Sequence, residues 1–364
     1  MKIRQHLESL PPYIPIEPFE ILSARFGRDA DQIIKLDANE NPYGPLPVVR
    51  VALGKLDFPH VYPDPESRAL RKSLEEFTGV SAEYLLAGSG ADELIDLLMR
   101  VMLEPGDYVL SCPPTFGMYS FDAELNAARV IEVPRCADFS LDMESIREAV
   151  QTHKPKILFV ATPNNPDGSL LDSKIMDELL KLPLLVVLDE AYIEFADDKL
   201  GTGLSRIREA TSRENLVVLR TFSKWAGLAG LRIGYGAFPQ WLIPTLWKSK
   251  QPYNVNVAAS IAAQVSLTHT DELAKIVAAL QNERTRLSAI LQEIPYLQVY
   301  PTSSNFILCR VVERDAAELK TRLAQEYGIF VRYFNKPGLR DHMRISVGRP
   351  EDTDALIKAL KEQA

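Results

Sequence analysis

The sequence predicts an α/β protein with a large domain, built on a mostly parallel central sheet flanked by helices, and a smaller α+β domain. A chain of 364 residues is too long for one simple hydrophobic core. Between about residues 80 and 240, short apolar runs alternate with helical patterns, and after residue 256 this pattern changes. We therefore expect an N-terminal arm (1–36) that joins the small domain, a large domain (37–255) and a small C-terminal domain (256–364).

The arm and the large domain differ in their patterns. The arm is rich in proline (PPYIPIEP), which is typical of an extended segment, and a short helix follows it. In the large domain, apolar runs bounded by Pro, Gly and Asn are typical of strands buried on both faces. Their alternation with helices predicts parallel βαβ units. The runs are YVLSCPP, RVIEVP, KILFVATP, LLVVLDEAY, LVVLRTF and RIGYGAF, and DELIDLLMRVML (92–103) predicts an amphipathic helix.

The C-terminal part begins with a long helical stretch over about 257–293. The apolar segment LQVYPTSSNFILCRV, a helix over about 315–327, and the runs GIFVRYF and HMRISVG follow, and the chain ends in the helical pattern EDTDALIKALKEQ. This mixture of strands and helices predicts the second, α+β domain.

Composition and charge exclude several classes of protein. Hydrophobic residues make up 46% and charged residues 25%, which is ordinary for a globular protein, and the net charge of −8 argues against nucleic acid or an anionic membrane as a partner. The three cysteines are widely spaced, so we expect no disulfide framework and no metal site, in a reducing compartment. The N-terminus MKIRQHLESLPPY has no long apolar run, which predicts neither a signal peptide nor a membrane span, and we expect a cytoplasmic location.

Functional residues are expected just after the strands, because ligands of open α/β sheets bind beyond the carboxyl ends of the strands. After the first strand of the large domain, GSGADE (88–93) opens a helix whose N-terminus favours an anion. Glu93 stands where a dinucleotide fingerprint needs its third glycine, so a nicotinamide cofactor is disfavoured. A plain helix N-cap explains this segment equally well.

The later strands end in a turn, an acid and a lysine. The turn TPNNPDG (162–168) contains Asn165, whose amide could hold an oxygen at the sheet edge. Asp189 ends a fully apolar strand, and because an unpaired buried carboxylate is costly it needs a cap, an arginine or a cation in the site. Lys224 follows another apolar strand, and Arg232 comes after a small-residue turn. A lone lysine is normally a solvated surface group, but here these groups share one sheet edge.

A pyridine aldehyde that carries a phosphate would use all of these groups. Lys224 would form a Schiff base with the aldehyde. Asp189 would keep the pyridine nitrogen protonated, which makes the ring an electron sink. The phosphate would be held at the start of the predicted helix and by hydroxyl and guanidinium groups. These residues are Gly90, Ala91, Asp92, Thr221, Ser223 and Arg232.

With these residues in place, the chain closely resembles the fold-type I pyridoxal-phosphate aminotransferases of class II and, within them, the histidinol-phosphate aminotransferase subgroup. The resemblance runs essentially from end to end, and as an ordered set its motifs are specific. They are LDANENPYGP, YPDPESRALRKSL, GSGADELIDLL, CPPTFGMY, TPNNPDGS, LDEAYIEF, RTFSKWAGLAGLRIGY, QPYN, SNFIL and MRISVG.

The resemblance implies roles for the residues around the cofactor. Lys224 is expected to hold pyridoxal 5'-phosphate covalently, and Asp189 to face the pyridine nitrogen. Tyr192 and Asn165 are implied as donors to the phenolic oxygen of the ring. Phe116 takes the ring-stacking place, where many relatives have tyrosine. The turn departs from the usual NPTG because Asp167 replaces threonine, and we expect little effect.

The resemblance also implies the substrates and a second copy of the chain. Tyr62 matches a tyrosine that crosses to the cofactor phosphate of the partner subunit, which implies a homodimer with shared active sites. The implied substrate-binding residues are Tyr13, Asn41, Tyr253, Arg332 and Arg344. Two arginines and a tyrosine suit a phosphate dianion well.

The implied reaction is transamination between L-histidinol phosphate and 2-oxoglutarate, giving imidazole acetol phosphate and L-glutamate in histidine biosynthesis. Three alternatives resemble the chain as well. They are an aromatic or broad-specificity aminotransferase, a threonine-phosphate decarboxylase, and a non-catalytic cofactor-binding regulator. The regulators carry an added DNA-binding domain, for which we expect no room before the strand pattern begins near residue 80.

Overall fold

The computed structural model describes residues 2–8, 10–13 and 15–363, and it contains two sheets. The larger sheet has seven strands in the order β2-β8-β7-β6-β5-β3-β4. In chain order, these strands are β2 Leu85–Gly88, β3 Tyr108–Ser111, β4 Arg129–Glu132, β5 Ile157–Ala161, β6 Leu185–Asp189, β7 Leu216–Thr221 and β8 Gly234–Ala237. Only β8 runs against its neighbours, so the prediction of a mostly parallel sheet is confirmed.

The smaller sheet has five strands in the order β1-β11-β12-β10-β9. Its strands are β1 Ile34–Leu36, β9 Leu297–Val299, β10 Phe306–Val311, β11 Ile329–Tyr333 and β12 His342–Ser346. The pairs β9–β10, β10–β12 and β12–β11 are antiparallel, and β1 lies at the edge of the sheet, parallel to β11. The sequence analysis missed β1, because three residues are too few to show a strand period.

The helices lie around these sheets. Their bounds are α1 Phe19–Phe26, α2 Pro47–Gly54, α3 Arg68–Thr78, α4 Ala91–Met102, α5 Met118–Leu125, α6 Met143–His153, α7 Ser173–Leu179, α8 Ile243–Ser249, α9 Val257–Leu267, α10 Thr270–Leu291, α11 Ala316–Tyr327 and α12 Pro350–Glu362. The long helical stretch expected over about 257–293 is divided into two helices, α9 and α10. The break is stabilised by Thr268 and His269, whose side chains both bond the carbonyl of Val265 and so satisfy the end of α9.

Helices cover both faces of the large sheet because its strands are apolar on both faces. Val186 and Leu188 of β6 pack in a cluster with α2, α3, α6 and α9, whereas Leu185 and Val187 pack in a second cluster with α4, α5 and α8. The small sheet has a cluster of its own with α11 and α12. The predicted α/β class with a second α+β unit is thereby confirmed.

The bounds of the domains stay a prediction. α9 packs with the large sheet, and α10 contributes Leu280 to that cluster and Leu287 to the cluster of the small sheet. Within the described residues, no helix is both long and apolar enough to cross a membrane.

Candidate active site

A small cavity of about 140 Å³ lies at the carboxyl edge of the large sheet, beside the start of α4. It is lined by the ends of three strands and by the segments that follow them. Ten of the predicted cofactor-binding residues line it, namely Ala91, Asp92, Phe116, Asn165, Asp189, Tyr192, Thr221, Ser223, Lys224 and Arg232. Gly90 lies directly before α4. The fold therefore brings together side chains that are up to 141 positions apart, from Ala91 to Arg232.

Asp189 ends β6 beside Ala161 of β5, and its carboxylate is buried. The hydroxyl of Tyr119 donates to Oδ2 at 2.6 Å, and the backbone N–H of Ala191 donates to Oδ1 at 3.0 Å. Burial raises the pKa of Asp189 to about 6, although both hydrogen bonds oppose the rise. A cationic N–H group in the cavity would stabilise the ionised carboxylate.

Lys224 lies three residues beyond β7, where its ammonium has no carboxylate partner among the described residues. Nζ donates to the carbonyl of Ala38 at 3.1 Å and lies 5.9 Å from the centre of the Tyr192 ring. Burial, and next the positive charge of Arg344, lower the pKa of Lys224 to about 8. Part of the amine is therefore neutral near pH 7, so that it can act as a nucleophile or a base.

The start of α4 provides one anion-binding end of the cavity. Its first backbone N–H groups have no partners within the helix, and Gly90 offers no capping side chain. Gly90 has φ +84°, and a Cβ there would come 2.5 Å from Nη2 of Arg232. Arg232 Nη2 also lies 2.8 Å from Oδ2 of Asp92. Glycine is thus needed for the guanidinium group to lie over the helix start.

Hydroxyl groups complete this anion-binding end. Thr221 ends β7, and its Oγ1 lies 2.9 Å from Oγ of Ser223. Both side chains line the cavity. The hydroxyls and the helix N-terminus together suit a phosphate.

A larger cavity of about 920 Å³ opens from the small one, and Phe116, Asn165, Tyr192 and Lys224 line both. Three of the predicted substrate-binding residues, Tyr13, Arg332 and Arg344, line the larger cavity. The amine of Lys224 and two guanidinium groups therefore line the same cavity.

Arg332 and Arg344 are direct neighbours on the antiparallel strands β11 and β12. Nη1 and Nη2 of Arg344 donate to Asn165 Oδ1 at 2.6 Å and to the carbonyl of Asp37 at 2.7 Å. Nε of Arg344 is buried without a partner in the part of the chain described. Phe334 lies within 5.8 Å and 5.7 Å of the two Cζ atoms. Burial, and then the charge of Arg332, lower the pKa of Arg344 to about 10. Two adjacent cations favour an anion between them.

Besides Gly90, three predicted site residues line neither cavity, namely Tyr62, Tyr253 and Asn41. Tyr62 is 79% exposed and stacks on Tyr253 with ring centres 4.6 Å apart. Asn41 is buried, where its amide donates to the carbonyl of Trp225 and accepts from the N–H of Tyr43. Both ends of the Asn41 amide are therefore used within the chain. Contact of these residues with a ligand stays a prediction.

Comparisons with known proteins identify the family. The family model for aminotransferase class I and II matches residues 31–360. The chain belongs to this aminotransferase family. It is 55% identical over 360 residues to the chloroplastic histidinol-phosphate aminotransferase of Nicotiana tabacum, across 99% of this chain and 86% of that one. It is 51% identical over 370 residues to the histidinol-phosphate aminotransferase of Roseiflexus castenholzii, across 100% and 98%.

A solved aminotransferase has the same fold. The histidinol-phosphate aminotransferase from Sinorhizobium meliloti, determined in complex with pyridoxal-5'-phosphate, superposes with a TM-score of 0.89 at 27% identity. The match covers 100% of this chain and 98% of that one.

The residues of the small cavity fit the cofactor of that aminotransferase. Asp189 is a buried carboxylate for a pyridinium N–H, Lys224 is an amine with a lowered pKa for an aldehyde, and the start of α4 with its hydroxyl pair suits a phosphate. Among the described residues, no group of three or more His, Cys, Asp or Glu side chains is placed to hold a metal ion.

The sequence analysis of this aminotransferase missed two side chains that bond its predicted site residues. Tyr119 donates to Asp189. Its only signal in the sequence was its position three residues after Phe116. Asn39 donates from Nδ2 to the hydroxyl of Tyr192 at 3.0 Å, across 153 positions of the chain. No spacing in the sequence links these last two residues.

The structure explains how Asp167 fits in the turn where relatives have the threonine of NPTG. Its buried carboxylate accepts hydrogen bonds from the side chain of Asn164 and from the N–H of Ser169 at 2.9 Å. Asn164 in turn accepts from Thr115 at 2.8 Å. The carboxylate thereby stabilises the turn that carries Asn165.

Proposed function

We propose that the chain transfers the amino group of L-histidinol phosphate to 2-oxoglutarate, giving imidazole acetol phosphate and L-glutamate, with pyridoxal 5'-phosphate as cofactor. The reaction is a step of histidine biosynthesis. Full-length relatives at 51% and 55% identity with this activity in their names support the proposal. The substrate class also fits the molecule, because a phosphorylated amine needs both an amine-exchanging centre and an anion site.

The observation that carries the substrate assignment is the pair of adjacent guanidinium groups, Arg332 and Arg344. They line the cavity into which Lys224 opens, and neither forms an ion pair within the described chain. A phosphate dianion, or a carboxylate of 2-oxoglutarate or glutamate, would compensate their charge and reach the unpartnered Nε of Arg344. The same subsite can thus serve both substrates in turn.

Pyridoxal phosphate, when bound, supplies an aldehyde that exchanges amines and a ring that accepts electrons. Lys224 is placed at the junction of the two cavities, where its lowered pKa leaves neutral amine to take the proton from the carbon that bears the donor's amino group. Asp189, which lines the small cavity, would hold the proton of the ring nitrogen. The chemistry therefore depends on two groups of opposite charge, both of which burial has shifted toward the neutral form.

Tyr192 and Asn165 are the proposed donors to the phenolic oxygen of the ring. The hydroxyl oxygen of Tyr192 accepts from Asn39, which leaves its own proton free to be donated into the cavity. The carbonyl end of the Asn165 side chain accepts from Arg344, which leaves its NH₂ group free. Both donors are thus oriented by neighbours before any ligand binds.

We propose that the chain forms a homodimer in which Tyr62 reaches the site of the partner. Tyr62 lies in an exposed segment with Phe58 and Val61, which are 67% and 51% exposed. Coexpression of Lys224→Ala and Tyr62→Ala chains is expected to restore activity, because a mixed dimer contains one site with both residues. No restoration, or a monomer by sedimentation, would contradict the shared site.

The proposed location is the cytoplasm. It is supported by three free cysteines, of which Cys112 and Cys309 are buried. The tobacco relative is a chloroplastic protein.

The test of the function is product analysis with the purified, cofactor-loaded protein. L-Histidinol phosphate and 2-oxoglutarate are expected to give one glutamate per donor consumed and no carbon dioxide. Carbon dioxide from O-phospho-L-threonine would assign a decarboxylase instead. A higher kcat/KM with L-phenylalanine than with histidinol phosphate would assign an aromatic aminotransferase, and no product at all would leave only a binding protein.

A further inference from the structure

We propose that Tyr119 is a positioning residue that keeps the shared proton of the cofactor on the ring nitrogen, by donating a hydrogen bond to Asp189. The inference rests on the proposed function, since it concerns the same cofactor. It starts from a contact between two protein side chains: the hydroxyl of Tyr119 lies 2.6 Å from Oδ2 of Asp189.

The ring of Tyr119 is held so that its hydroxyl points at one place. Tyr119 lies on α5 and is completely buried. Its ring stacks on Phe159 of β5 with centres 4.9 Å apart and planes 15° apart, and it meets the edge of Phe116 at 5.5 Å. A packed aromatic ring of this kind loses little further freedom when its hydroxyl bonds. The hydrogen bond to Asp189 is therefore pre-oriented.

Among the groups around Asp189, Tyr119 makes the largest contribution that favours the ionised carboxylate. Asp92 from α4 opposes the ionised carboxylate, whereas Lys224 from the segment after β7 favours it. The Tyr119 hydroxyl and the N–H of Ala191 also favour the ionised form, against the larger effect of burial. A buried carboxylate and a pyridine nitrogen in contact share one proton, and each hydrogen bond that the carboxylate accepts favours the nitrogen as its holder.

Loss of one hydrogen bond to the carboxylate makes it more basic. The proton that the pair shares then moves from the ring nitrogen to an oxygen of Asp189, with no proton gained or lost by the pair. A neutral ring is a weaker electron sink, so the chemical step slows. Because Tyr119 lines the small cavity and not the large one, substrate binding is expected to be unaffected.

The test replaces Tyr119 with phenylalanine and uses the holoenzyme loaded with pyridoxal phosphate that is labelled with ¹⁵N in the ring. In Tyr119→Phe, the nitrogen resonance is expected to move from the pyridinium position toward that of neutral pyridine. We expect kcat to fall about tenfold, the effect of one hydrogen bond to a charged group, while KM for the amino donor stays within twofold. An unmoved resonance would overturn the proposal.

Tyr235→Phe is the matched control, because it removes a buried hydroxyl of β8 that has no partner among the described residues. It is expected to leave both the resonance and kcat unchanged. A second variant keeps the packing if Tyr119→Phe fails to load: 4-aminophenylalanine at position 119 is a weaker donor than tyrosine and is expected to move the resonance part of the way toward neutral pyridine. No movement in that protein also counts against the role of Tyr119.

The unaltered holoenzyme separates this proposal from the proposed function. If it fails to exchange amino groups with histidinol phosphate, the function is wrong. If it does so and Tyr119→Phe leaves the nitrogen protonated, only the role of Tyr119 is wrong.

Discussion

Replacing Arg332 with glutamine tests the anion subsite of the larger cavity. Arg332 is half-buried on β11 beside Arg344, and its guanidinium group has no acidic partner within the described residues. Glutamine keeps much of the length of the side chain and its polarity but removes the charge. The change is therefore expected to weaken the binding of a phosphate dianion and to leave the amine chemistry at Lys224 intact.

The magnitude follows from the position of the side chain. A hydrogen bond to a charged group is worth about 1.5–3 kcal/mol, and exposure places Arg332 toward the lower end of that range. Removing the charge also relieves the effect that lowers the pKa of Arg344, which offsets part of the loss. We expect Arg332→Gln to weaken the interaction with the phosphate by about 2 kcal/mol. This loss corresponds to about a 30-fold fall in kcat/KM for L-histidinol phosphate.

The assay compares L-histidinol phosphate with unphosphorylated L-histidinol, in steady-state kinetics with 2-oxoglutarate fixed. Arg332→Gln is expected to affect the phosphorylated donor only. Arg322→Gln, on the exposed face of α11 and paired with Glu326, is the control and should change neither value more than twofold. Equal losses for both donors would refute the subsite, because the missing charge would then not be acting on the phosphate.

Two further predictions concern buried charges away from the cavities. Arg220→Met is expected to lower the free energy of unfolding by about 3–5 kcal/mol in urea titrations, because it leaves Glu194, 2.8 Å away, without its cation. The double variant Arg220→Met/Glu194→Gln should regain part of the lost free energy of unfolding. If the single and the double variant are equally unstable, that result counts against the ion pair. Burial, and next the carboxylate of Asp96, raise the pKa of Asp122 from 3.8 to about 7, so stability from this group is present below pH 4 and is lost as the pH rises through 7. Asp122→Asn is therefore expected to be about 1–2 kcal/mol more stable than the unaltered chain at pH 8 and about equal to it at pH 3.5, and a constant difference would contradict the shift.

The strands of the large sheet and the residues that follow them could be predicted from the sequence. Each buried strand is a short apolar run, and the polar residue that ends it stands out because its burial is costly. Asp189 and Thr221 end β6 and β7 in this way, and Lys224 follows. Since parallel strands present their carboxyl ends at one edge, their convergence on one cavity followed from the pattern.

The contacts that orient these residues could not be predicted in the same way. Tyr119 and Asp189 are 70 positions apart, and Asn39 and Tyr192 are 153 apart. Such contacts depend on how α5 and the segment after β1 pack against the large sheet. A local sequence pattern does not show which distant residues this packing brings together. β1 was missed because its three residues show no strand period, and the strand with which it pairs lies almost 300 residues later in the chain.

The most direct test of the central claim is the visible absorption spectrum of the purified, cofactor-loaded protein. We predict a yellow band that bleaches when L-histidinol phosphate is added and returns when 2-oxoglutarate follows. Lys224→Ala is expected to bind the cofactor without turnover. A band that bleaches with glutamate or phenylalanine but ignores histidinol phosphate would contradict the substrate, and a protein that shows no band even after reconstitution with pyridoxal phosphate would contradict the role of Lys224.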